Sequence, residues 1–125
     1  MKNSFNLRFE TLEASYADAG GVLKIIAAGD WKSTTLDAVQ RDLFKVMASD
    51  GVKFAAIRLL ELDLSAAAVV DSQGLNLLVT VLKQMKIRNV TMRTKVSRRA
   101  VYMTLLSVGM NRQMELAFEE VAAAD

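Results

Sequence analysis

The 125-residue chain contains no cysteine, no histidine and no proline. Without thiols or imidazoles it can form no disulfide, no Cys/His zinc site, no thiolate nucleophile and no histidine-based acid–base pair. Most familiar enzyme chemistry is thereby excluded, and no catalytic residue, metal or cofactor is expected. Long hydrophobic runs are also missing. The longest uncharged stretches, Ser72–Leu82 and Ala100–Asn111, fall short of the roughly 18–20 apolar residues that a bilayer-spanning helix needs. The opening MKNSFNLRFE meets charge too early for a signal peptide. A cytoplasmic protein with no membrane insertion is the expectation.

What is present is a core. Hydrophobic residues make up 52% of the chain, and a chain of this size buries about two-thirds of its unfolded surface, enough for one domain over residues 1–125. The net charge of +2 is too small for bulk attraction to nucleic acid. Its distribution is uneven: Ser72 to Met114 holds eight Lys or Arg and no Asp or Glu. One basic side of the domain is therefore expected. Tyr102 is the only aromatic in that stretch, which serves base stacking poorly. No direct DNA binding is expected; a solvated face that happens to be basic is the plainest account of the stretch, and an acidic protein partner comes next, ahead of RNA.

Phe5, Leu7 and Phe9 alternate with polar residues, predicting a strand that continues toward Tyr16. Residues 17–21 are turn chemistry, and Val22–Ala28 predicts a second strand antiparallel to the first, because so short a link permits only a hairpin. Ser33, Thr34 and Thr35 offer caps to a helix carrying Leu36, Val39, Leu43 and Met47, which Ser49-Asp50-Gly51 ends. Phe54–Leu64 predicts a third strand. Asp71 or Ser72 opens the next helix, whose apolar residues from Leu75 to Met85 predict a largely buried element with a narrow polar stripe at Gln73, Asn76, Thr80, Lys83 and Gln84. Val90–Thr94 predicts a further strand. A helix capped by Ser97 follows and runs to Val108 with Gly109 as its stop. Met114–Phe118 predicts a last strand, and the tail from Glu119 a helical turn. The alternation after residue 22 predicts an α/β domain: a mixed sheet of four to five strands, antiparallel at its start and then parallel through right-handed crossovers, with three to four helices.

Several chemistries can be weighed on the residues. Ser72 stands at a strand-to-helix turn, but the nucleophile-elbow pattern needs glycine two residues before it, and Val70 is there. One glycine in Asp71-Ser72-Gln73-Gly74 does not make a multi-glycine phosphate nest. Asp63 and Asp71 would need further oxygen ligands to hold a cation, and a strand-end hydrogen bond and a helix cap account for them more simply.

The segment Asp63-Leu64-Ser65, three alanines, Val69-Val70 and then Asp71-Ser72-Gln73-Gly74-Leu75 resembles the STAS domain of anti-sigma factor antagonists. That family's pattern is an Asp-Leu-Ser strand end, a short hydrophobic link and an Asp-Ser-Ser/Thr-Gly-Leu helix start. The resemblance extends to the element order, the Gly29 turn and the Gly109 break. It implies that Ser72 is phosphorylated by a partner serine kinase that doubles as the anti-sigma factor. The unphosphorylated form binds the kinase, the phosphorylated form releases it, and a metal-dependent serine phosphatase resets the switch.

By the same resemblance, partner-binding residues are Asp30, Trp31 and Lys32 after the second strand, with Asp71, Gln73 and Asn76 around Ser72. Gln73 stands where the family usually has a second hydroxyl. Lys32 stands where the family has an acidic contact to the kinase, which implies a partner with a differently charged surface. The Gly29-Asp30-Trp31 turn also resembles transporter-associated domains of the family. The alternative it suggests is a stand-alone STAS subunit regulating a membrane transporter of the phospholipid-trafficking type.

Overall fold

The computed structural model describes residues 4–53 and 55–120. Six strands form one sheet in sequence order, β1 (Phe5–Arg8), β2 (Leu12–Ala17), β3 (Val22–Ala27), β4 (Leu59–Asp63), β5 (Thr91–Val96) and β6 (Glu115–Phe118). The first three pair antiparallel, and β3 to β6 pair parallel. Between the parallel strands lie α1 (Leu36–Ala48), the single turn α2 (Asp50–Lys53), α3 (Ser72–Ile87) and α4 (Arg99–Ser107). Right-handed crossovers that step steadily in one direction leave every helix on the same face. The mixed α/β sheet with an antiparallel start matches the expectation, with one strand more than the four to five foreseen.

The extra strand comes from a turn inside the segment read as one. Phe9 N donates to the Leu12 carbonyl at 2.8 Å, and Thr11 is tied to α1: its N and Oγ1 donate to Asp42 Oδ2 at 2.9 and 2.7 Å. Asp42 is buried among apolar neighbours, so these donors are what makes its charge tolerable there. Ser49 ends α1 with an extended backbone, as its place before Asp50-Gly51 predicts, but it also starts α2 by accepting from Val52 N at 3.3 Å. The third predicted strand shortens to Leu59–Asp63, and its predicted start, Phe54, lies outside the described residues.

Gly109 adopts a left-handed backbone after α4, as a helix stop requires. Ser97 departs from its predicted role: it is buried in the link to α4, and Arg98 holds the N-cap position. Glu119 and Glu120 are not helical, and the rest of the predicted helical tail, 121–125, lies outside the described residues.

The sheet is two-sided in character. Leu12, Ala14, Leu23, Ile25, Leu60, Leu62, Met92 and Val96 face the helices and are buried. On the other face Lys24, Glu61, Arg93 and Glu115 lie side by side across four strands. Glu61 sits 3.7 Å from Lys24 and 3.4 Å from Arg93. Arg93 Nε is 2.7 Å from Glu115 Oε2, close but out of line for a hydrogen bond.

This arrangement corrects the expectation of one basic side. Arg93 and Lys95 occupy the open sheet face, where Glu61, Glu115 and Glu119 neutralise them, whereas Lys83 and Lys86 lie on α3, with Arg88 as its C-cap, on the opposite side. The prediction that α3 is mostly buried is corrected as well. Leu75, Val79 and Val81 are only half-buried and Ile87 is exposed, because a single layer of helices leaves each with an outer face.

Candidate functional site

Beyond the C-terminal ends of β3 and β4, the loops that lead into α1 and α3 continue the parallel pairing for one more residue. Trp31 and Val70 form an isolated bridge. Trp31 N donates to the Val69 carbonyl at 3.1 Å, and Asp71 N to the Trp31 carbonyl at 3.2 Å. Two aspartates then clamp the loops reciprocally. Asp30 Oδ1 in the first loop accepts from Ala68 N at 2.7 Å and Val69 N at 3.0 Å in the second. Asp71 Oδ2 in the second accepts from Ser33 N at 2.8 Å in the first, while its Oδ1 accepts from Gly74 N at 2.9 Å and caps α3.

These donors fix the electrostatics. The Ala68 amide, then that of Val69, holds the Asp30 carboxyl below its ordinary value of 3.8, and the nearby Lys32 charge acts in the same sense against partial burial. Donation from Gly74, then Ser33, lowers Asp71 in the same way. Asp63 accepts from Ser65 N at 2.8 Å at the end of β4. Asp63 and Asp71 thus carry the strand-end and cap roles weighed for them above.

The structure separates the predicted site residues into two groups. Ser72, Gln73 and Asn76 are exposed on the first turns of α3, with Asn76 one turn beyond Ser72 on the same face. Lys32 keeps a partly exposed side chain beside Asp30, 3.5 Å from it. Trp31 is different. Its side chain is fully buried, so it offers a partner no surface, and its expected place as a contact residue becomes that of an anchor under the loop. Its Nε1 finds no acceptor among the described residues, so packing holds the indole.

Three contributors escaped the sequence. Thr35 holds the N-cap position of α1, but its hydroxyl serves the loop instead: it donates to the Asp30 carbonyl at 2.7 Å and accepts from Lys32 N at 3.1 Å. Ser33 takes part through its backbone, which no side-chain pattern reveals. Gly74, present in the motif, has a physical reason only in three dimensions. A Cβ there would overlap the Trp31 carbonyl, with the carbonyl carbon 2.8 Å away.

Chemically, the site presents one exposed hydroxyl at a helix N-terminus, without a base. Both oxygens of Asp71 are engaged, and a carboxyl held below 3.8 is a poor proton acceptor for a serine at neutral pH. The unpaired amides and dipole of the α3 N-terminus tolerate an added anion.

Among the described residues, no helix is long and apolar enough to cross a membrane. No curated protein matches the chain. A family model described as the STAS domain matches residues 16–124. That span takes in everything from the end of β2 to β6, with both clamped loops and the Ser72 helix start, and on that extent the chain belongs to the STAS domain family.

Proposed function

We propose that the protein is a non-enzymatic partner switch of the anti-sigma factor antagonist type, with Ser72 as its phosphoryl acceptor. The observation that carries this reading is the contrast between two adjacent residues. Asp71 gives both carboxylate oxygens to backbone amides, whereas Ser72 is exposed and its hydroxyl makes no hydrogen bond among the described residues. The hydroxyl is therefore accessible on a rigid, capped helix start.

A partner serine kinase, itself the anti-sigma factor, moves the γ-phosphoryl of ATP to Ser72 Oγ. The phosphoanhydride bond breaks, the Oγ–P bond forms, ADP leaves, and the hydroxyl proton goes to the kinase's own base. A metal-dependent serine phosphatase restores the hydroxyl by attack of water, with release of inorganic phosphate. The added phosphate brings about −1.5 to −2 charges into a surface made by Gln73, Asn76, Lys32 and Asp30. Leaving that charge unpaired at a buried interface costs roughly 2–5 kcal/mol, a weakening of about 30-fold to several thousand-fold.

The test is mass spectrometry of the protein isolated from its own cells, with a parallel pull-down on Ser72→Ala and Ser72→Asp baits. Phosphate on Ser72, and a kinase recovered by the alanine bait but lost from the aspartate bait, are the expected results. Phosphate confined to another residue, or equal recovery by both baits, overturns the proposal. Docking on a transporter of the phospholipid-trafficking type would use the same corner. Recovery of transporter subunits by both baits, without a kinase, would favour that reading.

A further inference from the structure

On the helical side of the sheet, α1 and α3 do not close against each other. A trough of about 390 Å³ opens between them, within the roughly 300–1,000 Å³ range of sites that enclose small molecules. Its form follows from helical spacing. Gln40, Phe44 and Ala48 stand four residues apart along α1 and make one rim, and Thr80 and Gln84 of α3, with Arg88 at its C-cap, make the other. Eight helical steps, from Gln40 to Ala48, give a trough about 12 Å long. The walls are apolar, with Met47 on one side and Val81 and Met85 on the other, and the floor is Ile25 and Leu60 of the sheet.

Such a trough has a thermodynamic preference. Its half-open apolar walls leave hydrophobic surface in contact with water, and covering that surface with a hydrocarbon chain is favourable. Two methionines give it adaptable walls. Phe44, 74% exposed on the rim, can fold over an occupant. Polarity is confined to the rim and is asymmetric along it. Arg88, at the C-terminal end, is the only charged residue of the lining, and among the described residues no carboxylate pairs with it. A narrow apolar trough with a cation at one end complements a single hydrocarbon chain with an anionic head.

We infer that the α1–α3 trough is a binding site for a medium-chain carboxylate, its chain lying along Met47, Val81 and Met85 and its head paired with Arg88. The inference does not depend on Ser72 or on the identity of the kinase.

The experiment titrates the full chain with decanoate and, separately, with decanol, by calorimetry below the aggregation limit of either, and follows the methionine methyl resonances. Saturable one-to-one binding of decanoate is expected, with shifts at Met47 and Met85 and none at the exposed Met103 of α4. Arg88→Gln should weaken decanoate about tenfold, the worth of a charge-assisted hydrogen bond, and leave decanol unchanged. Val81→Trp should block both ligands by filling the trough, and the methyl shifts locate the site even should that variant misfold.

Absence of saturable binding, or shifts at Met103 in place of Met47 and Met85, overturns the site. Equal affinity of decanoate for wild type and Arg88→Gln overturns the carboxylate assignment. A concentration-dependent dimer in sedimentation, abolished by Phe44→Glu, would identify a second copy as the occupant and overturn the inference.

Discussion

The α-carbon of Gly74 faces the Trp31 carbonyl with no room for a methyl group between them. The first turn of α3 is thereby pressed onto the loop after β3, and the same carbonyl accepts the Asp71 amide. Gly74→Ala should accordingly destabilise the protein. Alanine's helix preference contributes roughly 1 kcal/mol in its favour. Overpacking costs about 1–3 kcal/mol or more, and the upper end applies where the obstacle is backbone that cannot rotate away. Urea denaturation reads the balance, and a midpoint equal to or above wild type would contradict the close approach.

Acid should loosen the clamp only below the ordinary carboxylate range. Asp30 and Asp71 titrate below 3.8 in the folded protein, so between the folded and unfolded values the unfolded chain binds more protons. Their contribution is complete above about 3.8 and is lost as pH falls through the folded values. A series of urea midpoints against pH should drop steeply in that window for wild type. The Asp30→Asn, Asp71→Asn double variant should start lower at neutral pH and fall less. Parallel curves would mean that the two carboxylates are not linked to folding.

Ser72→Asp should leave the fold intact while it weakens partner recovery. A negative charge in the first turn of a helix is worth about 0.3–1 kcal/mol, less in high salt. Thermal melting at low ionic strength should therefore occur at or slightly above the wild-type midpoint, with the difference shrinking as salt is added. A variant that melts well below wild type would trace the lost binding to unfolding instead of to charge at the interface.

Asp42→Ala should be costly although the residue makes no contact with Ser72 itself. The substitution strands Thr11 N and Oγ1, which both donate to the buried carboxylate. Thr11 is half-buried, so water recovers part of the loss and the cost should be about 1 kcal/mol, the low end for an unsatisfied group. Hydrogen exchange at the Thr11 amide should accelerate along with a lower urea midpoint, and an unchanged rate there would show that the tie does not hold the turn.

Much of the architecture was legible because it is written at short range. Leu36, Val39 and Leu43 recur at helical spacing and do line the inner face of α1, and the Asp71-Ser72 helix start lies where its capping chemistry places it. What escaped depends on distant contacts. The turn between β1 and β2 is held by an aspartate 31 residues away, which no local pattern carries. A helical wheel for α3 reports which positions are apolar but not how many layers cover them, so half-exposed Val79 and Val81 read as core.

Trp31 was misplaced for a related reason. The family resemblance assigns its turn to a surface, but burial of the side chain follows from where the second loop crosses it. The reciprocal use of Asp30 and Asp71 was likewise invisible, since each carboxylate finds amides on the other segment.

Ser33 and Asp71, joined across the clamp, lie 38 positions apart in the chain. A synthetic peptide spanning 63–76 would carry every residue of the Ser72 motif and still lack the Trp31 carbonyl, the Ser33 amide and the Asp30 carboxylate that shape it. The corner is thus a property of completed tertiary structure. Under the proposed function, a kinase that recognised the corner by its shape would distinguish the folded protein from a denatured chain carrying the same serine.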